Sequence, residues 1–245
     1  MAVLANSTRA NYGIDAPNVV RNMVVIGMLG TLGGLALMTV HARWARGPAS
    51  AALSIGIWFS ISALGMLLGS VYGKFRARDW VLDRLDFKGD EQVLDVGCGH
   101  GLMLIGAAKR LTSGHATGID IWSSGDQAAN SAAATQRNAE LEGVADRVTI
   151  RDGDARTIPF PDASFDVVVS SLALHNISDL GERNQAFAEI IRVLKPGGRV
   201  GMIDIFKGID TDFFRHANFQ IVAQKKTLMF MLITKLVVLK DVNVG

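Results

Sequence analysis

Cysteine is nearly absent from the sequence: Cys98 is the single one among 245 residues. One cysteine excludes an internal disulfide framework and a cysteine-based metal cluster. The five histidines show no HExxH or similar ligand spacing, so we predict no metal site. An excess of positive charge is also missing, since the formal net charge is +2 and no basic patch with aromatic residues stands out. A nucleic-acid partner is therefore not expected.

Charge is missing altogether from two long stretches near the N-terminus, residues 23–40 and 49–72. At ~1.5 Å per helical residue, each stretch can cross, or nearly cross, a hydrocarbon core of about 30 Å. We therefore predict a polar tail at residues 1–17 and a hydrophobic two-helix membrane hairpin at residues 18–73. Two alternatives stay open: the hairpin dips into one leaflet, or the helices pair against a partner protein.

Both apolar stretches carry small residues at four-residue spacing. Gly30 and Gly34 lie in the first stretch, and Gly65, Gly69 and Gly73 in the second. This spacing lets helix backbones approach closely where lipid supplies no hydrophobic drive. It predicts that the two helices pack on each other.

Basic residues flank the second apolar stretch unevenly. Arg43 and Arg46 precede it, while Lys74, Arg76 and Arg78 follow it. The bias favours the cytoplasmic side for both termini. The predicted localisation is therefore the membrane, with the following domain on the cytoplasmic side.

Strand and helix patterns alternate in the second half of the chain, after a predicted amphipathic helix that ends near Gly89. The predicted strands are 91–96, 116–122, 147–155, 165–174 and 199–206, and the predicted helices between them are 101–111, 126–143 and 182–195, the last stopped by Pro196, Gly197 and Gly198. Such alternation with short connections predicts a parallel sheet covered by helices on both faces. The stretch 219–242 predicts a β-hairpin. The fold class is thus α/β, a doubly wound, mostly parallel Rossmann-like sheet of about seven strands with an antiparallel C-terminal hairpin strand.

The stretch "VLDVGCGHG" places Gly97, Gly99 and Gly101 between the first predicted strand and its helix. A dinucleotide fingerprint needs G-x-G-x-x-G, and Leu102 stands where its third glycine would be. Asp95 would also repel a pyrophosphate, whereas it suits a ligand that carries an ammonium group. The pattern therefore disfavours a nicotinamide-dependent oxidoreductase.

Asp120, at the end of the second predicted strand, lies about twenty residues beyond the glycines, where a carboxylate commonly binds ribose hydroxyls. Together with Asp95 it describes a ribonucleoside with a cationic, amino-acid-like tail. S-adenosylmethionine fits that description.

Four motifs, "VLDVGCGHG", "GIDIW", "RDGDARTIPFPDASFDVVVSSLALHNI" and "RVLKPGGRV", resemble the successive motifs of class I S-adenosylmethionine-dependent methyltransferases. The sequence is most similar to the type-11 group, which includes ubiquinone, menaquinone and sterol methyltransferases. The resemblance covers about residues 78–205 and does not include the hydrophobic hairpin. It implies S-adenosyl-L-methionine as the cofactor and a methyltransferase domain at residues 74–245.

The resemblance also implies roles for residues at matching positions. Asp95, Gly97 and Gly99 would contact the methionine part within a loop that also holds Cys98 and Gly101; Asp120 would hold the ribose and Ile121 would pack on the adenine; Asp154, beside Ala155, would accept from the adenine amino group; Ser170 and Ser171 would line the sulfonium end. Simpler interpretations stay open for three of them: Gly101 serves helix packing, Asp154 is a turn residue, and Cys98 is a small loop residue and not a nucleophile.

His175, in the loop after the fourth predicted strand, is the best candidate for a general base or for positioning the acceptor. A purely local contact with the backbone is an equal alternative. The hairpin suggests a membrane-borne small-molecule acceptor, such as a quinol, a terpenoid or a lipid head group. The alternative function is a non-catalytic, membrane-tethered module that binds S-adenosylmethionine.

Overall fold

The computed structural model of the chain describes residues 8–123, 130–205, 208–230 and 232–242. It begins with two long apolar helices, α1 (Pro17–Met38) and α2 (Arg46–Leu68). By length and composition, both are long and apolar enough to cross a membrane. The helical backbone continues past the predicted boundary after residue 73, because a π-helical turn (Gly69–Gly73) follows α2 and leads directly into α3 (Lys74–Leu82). The apolar segment and the following domain thus share one continuous helix.

Close packing of α1 on α2 confirms the prediction for Gly30 and Gly34. A Cβ atom on Gly30 would lie 2.8 Å from the Cα of Gly56, and one on Gly34 would lie 2.8 Å from the amide nitrogen of Leu53. No side chain fits at either position without moving backbone. Gly56 of α2, which the four-residue spacing did not single out, is the facing glycine.

The prediction is wrong for Gly69 and Gly73, which do not pack on α1. A Cβ atom on Gly69 would lie 2.8 Å from the ring of Phe230, and one on Gly73 would lie 3.2 Å from the Cγ of Met229. Both partners belong to the C-terminal hairpin. The spacing marks a close backbone approach, but it does not say which neighbour approaches.

The described residues form a seven-stranded sheet in the order β3-β2-β1-β4-β5-β7-β6. Every strand is parallel to its neighbours except β7, which runs antiparallel to β5 and β6. The predicted fold class is confirmed. The elements after α3 are β1 (Gln92–Val96), α4 (Leu102–Ala108), β2 (His115–Asp120), α5 (Ala132–Leu141), β3 (Val148–Asp152), β4 (Phe165–Ser171), α6 (Leu180–Val193), β5 (Leu194–Ile205), α7 (Thr211–His216), β6 (Phe219–Met229) and β7 (Leu232–Asp241).

Helices cover both faces of the sheet. One core cluster includes Leu82 of α3 and Met103 of α4, and the other includes Phe187 of α6 and Phe214 of α7, all fully buried. Parallel strands packed in this way bring their carboxyl ends to one edge, where ligands bind in open α/β sheets.

Several element ends differ from the predictions. α3 ends at Leu82 and not near Gly89. α6 ends at Val193, because Pro196 cannot donate a backbone hydrogen bond and biases Lys195 towards an extended backbone. α5 begins after Ser131, whose hydroxyl accepts from Ala134 N; residues 126–129 of the predicted helix lie outside the described residues.

The predicted polar tail has a defined place on the domain. Residues 9–15, which we call the N-terminal strap, run without helix or extended sheet pairing. Asn138 of α5 donates through Nδ2 to the carbonyls of Asn11 and His100, both at 2.9 Å. Tyr12 is buried, and its hydroxyl donates to Glu142 at 3.2 Å. The strap is thus fixed against α5 and, through Asn138, against the glycine-rich loop.

Candidate active site

The loop between β1 and α4 turns sharply through glycines. Gly97 and Gly101 have φ values of +72° and +85°, which side chains rarely adopt. A Cβ atom on Gly97 would also lie 2.3 Å from the Cβ of Ala173. The amides of Gly97 and Cys98 donate to the carbonyl of Ile119, at 2.9 and 3.0 Å, and thereby fix the loop against β2.

Asp95 lies under this loop and is fully buried. Its Oδ2 accepts from the amide of Leu104 at 2.8 Å. Burial raises the pKa of Asp95 to about 8, and the nearby charge of Asp120 adds to the effect. A cation placed beside this carboxyl would favour its charged form, so the site fits the ammonium group that the sequence predicts.

Asp120 is held from both sides at the end of β2. Its Oδ2 accepts from Gly99 N at 2.8 Å, and its Oδ1 accepts from Trp122 N at 2.7 Å. The carboxylate keeps acceptor capacity beyond these two bonds, as ribose hydroxyls require. Ile121, beside it, is 64% exposed although it is large and apolar. Such a side chain suits the face of an aromatic ring.

Asp154 is paired with a residue that the sequence did not indicate. Arg156 donates through Nη2 to Asp154 Oδ2 at 2.6 Å and through Nε to Oδ1 at 3.0 Å, and its Nη1 also reaches Glu182 at 2.7 Å. The hydrogen bonds from Arg156 lower the pKa of Asp154, so the carboxylate is charged but partly occupied. Its predicted bond to an adenine amino group stays a prediction.

Ser170 and Ser171 have different surroundings. Adjacent residues of a strand point to opposite faces, so only one of two neighbours can face the same space. Ser170 is buried and donates to the carbonyl of Val96 at 2.8 Å, whereas Ser171 lines the cavity described below. Ser170 thus joins β4 to β1, and the contact of the two serines with the sulfonium end stays a prediction.

Cys98 and Gly101 have structural contacts that match the simpler interpretations. Burial raises the pKa of the Cys98 thiol, which disfavours the thiolate that a nucleophile needs. Gly101 precedes α4, and a Cβ atom on it would lie 2.9 Å from the methyl group of Thr135. Gly101 does not line the cavity.

His175 forms a dyad with a buried carboxylate. Its Nδ1 lies 2.6 Å from Oδ1 of Asp204, which is 1% exposed, and its amide donates to Oδ2 at 3.2 Å. In the neutral ring this contact places the proton on Nδ1, so Nε2 is the nitrogen that can accept a proton. Sequence analysis missed Asp204; the available signal was a single acid near the end of the apolar strand β5.

One cavity of about 460 Å³ connects these groups. It is lined by the predicted residues Asp95, Gly97, Cys98, Gly99, Asp120, Ile121, Asp154, Ala155, Ser171 and His175. Its wall also includes residues that sequence analysis missed: Tyr12, Asp15, Met66, Lys74, Phe230 and Leu232. These come from the strap, α2, α3 and the C-terminal hairpin, so motif spacing could not have found them.

Lys74 closes the base of the α1–α2 pair. It is 3% exposed, and its Nζ donates to the carbonyls of Tyr12 and Gly13, at 2.9 and 2.7 Å, and to Asp15 at 3.2 Å. Ser70 donates to the same carboxylate of Asp15 at 3.0 Å. We call Asp15, Ser70 and Lys74 the base latch.

Within the described ranges, no group of three or more His, Cys, Asp or Glu side chains is placed to hold a metal ion.

The sheet order, the glycine loop after β1 and the carboxylate at the end of β2 agree with the predicted resemblance to S-adenosylmethionine-dependent methyltransferases. Residues 94–202 match the protein family described as "Methyltransferase domain". The match confirms the predicted family and, with it, S-adenosylmethionine as the cofactor of the domain.

A similar curated protein is the demethylmenaquinone methyltransferase of Lactiplantibacillus plantarum, 36% identical over 124 residues. The alignment covers 50% of this chain and 48% of that protein, so the chain spans about half the length of the curated relatives it matches. Among solved structures, the [4+2]-cyclase SpnF has a TM-score of 0.57 at 21% identity, covering 70% of this chain and 82% of its own. An S-adenosylmethionine-dependent methyltransferase from Aquifex aeolicus has a TM-score of 0.50 at 19% identity, covering 66% and 88%. At these identities the structures support the fold alone.

Proposed function

We propose that this protein is a membrane-associated methyltransferase that moves a methyl group from S-adenosylmethionine to a small lipophilic acceptor. The observation that carries the proposal is the composition of the cavity wall. The glycine loop and the His175–Asp204 dyad line one part, and apolar side chains, Met66 of α2 among them, line another. Donor, base and acceptor surfaces thus meet in one space.

The residues of the first part would hold the cofactor. Asp95 would face its ammonium group, Asp120 its ribose hydroxyls and Ile121 its adenine. The bound cofactor supplies a methyl group on a sulfonium, which is already a strong electrophile. The protein therefore needs chiefly to orient the acceptor in line with that methyl group and to exclude water.

His175 would accept the acceptor's proton through Nε2 when the nucleophile must lose one. Asp204 would keep the ring in the required tautomer and stabilise the imidazolium that forms. Asp204 does not need to reach the substrate, so we assign it a positioning role.

The apolar part of the cavity supports a lipophilic acceptor such as a quinol, a terpenoid or a lipid head group. Met66, Phe230 and Leu232 line the cavity, and the Asp15 and Lys74 charges that also line it are paired with each other. The name of the Lactiplantibacillus relative supports the same substrate class, since it describes a menaquinone precursor as the acceptor.

The hairpin would anchor the protein in a bilayer. α1 has 22 residues and α2 has 23, or about 33 Å of helix each, against a hydrocarbon core of about 30 Å. This length favours a pair that spans the bilayer over one that dips into a leaflet. The basic residues after α2 favour the cytoplasmic side for the methyltransferase domain.

The test is a labelled-methyl assay on the full chain reconstituted in vesicles. Membrane lipid extract and aqueous extract are offered separately, and products are identified by mass. Transfer from labelled S-adenosylmethionine into the lipid extract is expected, together with its loss in Asp120→Ala. Turnover confined to aqueous acceptors would overturn the lipophilic acceptor.

The second candidate function is non-catalytic binding of S-adenosylmethionine, and one observation supports it. The fold neighbour SpnF is described as a cyclase, so this fold alone does not guarantee methyl transfer. Calorimetric binding of S-adenosylmethionine, combined with no labelled product from either extract, would select this candidate.

A further inference from the structure

The tip of the β6–β7 hairpin exposes apolar side chains at one end of the sheet. Leu228, Leu232 and Ile233 are 68%, 51% and 55% exposed. Leu228 and Ile233 are direct partners in the antiparallel register, and Leu232 pairs with Met229 one position along. Leu228 and Ile233 therefore share one face of the hairpin tip, and Leu232 lies on the opposite face. We call these three exposed residues, which cover both faces of the tip, the tip patch.

The tip patch lies at the end of the apolar helix pair. Met229 and Phe230, between the exposed residues in the chain, are buried against Gly73 and Gly69 of the π-helical turn. α2 itself exposes Leu64 and Leu68 at 56% and 50%. The apolar surface thus continues from α2 across the turn onto the hairpin.

Charged and aromatic residues border this surface on the domain side. Lys225 and Lys226 are exposed directly before the tip patch on β6, and Arg76 is exposed just after the turn. Tyr72, at the turn, is 61% exposed. Exposed tyrosine and basic side chains beside an apolar surface match the interfacial layer of a membrane, where anionic head groups attract lysine and arginine.

We propose that the β6–β7 tip inserts into the membrane interface beside α2. The tip patch contacts acyl chains, and Lys225 and Lys226 meet anionic head groups. The inference rests on the proposed anchoring of α1 and α2, and it makes the sheet domain a third membrane contact. Leu232 lines the cavity as well as the exposed surface, so the cavity opens where this contact is made.

Site-specific fluorescence in vesicles tests the proposal. Cys98 is buried, and burial keeps its thiol protonated, so an added surface cysteine is the reactive one. Three full-length variants carry an environment-sensitive label: Leu228→Cys at the tip, Val222→Cys as the matched control, and Leu32→Cys on α1. Val222 is 54% exposed on the same strand β6, at the end away from the tip, and Leu32 is 64% exposed. The vesicles contain phosphatidylcholine and phosphatidylserine with spin-labelled lipids as quenchers.

The expected result is blue-shifted emission and lipid quenching at positions 228 and 32, with neither at position 222. Quenching at 228 should be strongest for spin labels near the head group. If the label at position 228 is unquenched, as at position 222, while the label at position 32 is quenched, the tip contact is overturned and the proposed anchoring remains intact. Loss of quenching at both 228 and 32 overturns the anchoring as well. Unchanged affinity for S-adenosylmethionine in each labelled variant verifies that it is folded.

Discussion

At the scale of single residues, three aspartates of the cavity are in different electrostatic states. Asp95 is buried with one amide partner, and its pKa is raised to about 8. Asp120 is held by two backbone amides, and Asp154 is paired with Arg156. The three aspartates can therefore act differently. The carboxyl of Asp95 would ionise beside a cation, Asp120 would accept hydrogen bonds, and the charge of Asp154 is already partly neutralised by Arg156.

Asp95 makes cofactor affinity depend on pH. Below about pH 8 the carboxyl is mostly protonated in the free protein, and an ammonium group favours its carboxylate, so binding releases a proton. Affinity for S-adenosylmethionine should therefore rise with pH up to about 8, by at most about tenfold per pH unit, and then level off. Calorimetry in two buffers of different ionisation enthalpy measures both the affinity and the released proton.

The Asp95→Asn variant should bind more weakly and lose this proton release. Asp166→Asn is the matched control, because Asp166 pairs with Lys195 and does not line the cavity. Proton release that persists in Asp95→Asn would assign the pH dependence to another group.

Substitutions in the His175–Asp204 dyad should change turnover without changing cofactor binding. His175→Ala should lower kcat by about 10²-fold or more, because proton transfer by a positioned base contributes about that much. Cofactor affinity should stay unchanged. Asp204→Asn should lower kcat less and shift its pH profile, as expected when a carboxylate acts by positioning the ring.

The control for the dyad is His216→Ala, since His216 is exposed on α7, does not line the cavity, and its Nδ1 lies 2.7 Å from the carbonyl of Asp212 in the same helix. Kinetics with the acceptor found by the labelled-methyl assay provide the measurement. Equal losses in kcat and in cofactor affinity for His175→Ala would indicate a structural role for the ring.

Most residues of the proposed cofactor site line one cavity, as the sequence predicts, because they are neighbours within short motifs. Gly97 and Asp120 are recognisable from the strand ends that they follow. Asp204 and Lys74 could not be predicted, because their contacts join residues 29 and 59 positions apart. Such long-range pairs are brought together by the topology of the fold, and no short sequence motif marks them.

At the scale of elements, the α1–α2 contact depends on individual glycines. Gly34→Leu should destabilise the helix pair by about 1–3 kcal/mol, because the new side chain meets the backbone of α2. Gly33 provides the matched control, since a Cβ atom there has no heavy atom within 4 Å. Thermal unfolding in detergent micelles should show a lower midpoint for Gly34→Leu alone. Equal midpoints for the two variants would contradict this contact.

The helix α2 also forms part of the cavity wall. Met66→Trp should fill the acceptor part and raise the KM for a lipophilic acceptor by about tenfold or more, with unchanged cofactor affinity. Leu64→Trp is the control on the same helix, because Leu64 is 56% exposed and Met66 is buried. Similar acceptor kinetics in both variants would place the acceptor elsewhere.

Element types were predictable because alternation and apolar runs are local patterns. The continuity of α2 with α3 could not be predicted, because the basic residues Lys74, Arg76 and Arg78 follow an uncharged stretch and so indicate the end of a membrane helix. Lys74 is instead buried under the strap, where backbone carbonyls and Asp15 compensate its charge. The burial of Lys74 therefore depends on contacts with the strap that form only in the folded chain.

At the scale of the whole molecule, the base latch and the continuous helix make one rigid connection. Asp15 precedes α1, and Ser70 and Lys74 follow α2, so both helices are held together at the level of the cavity. The same helix then supplies Met66 to the cavity wall.

With the pair in a bilayer, this connection makes the active site sensitive to membrane thickness. A bilayer much thinner than the helices forces them to tilt, at a cost of fractions of a kcal/mol per Å of mismatch. A flexible linker would absorb the tilt, but the helix that runs from Arg43 to Leu82 carries it into the cavity wall and the β6–β7 tip. Turnover of a lipophilic acceptor in vesicles of graded acyl-chain length should pass through a maximum near the thickness that matches α1, whereas cofactor affinity should stay constant. The enzyme would then respond to how thick its membrane is, as well as to what the membrane contains.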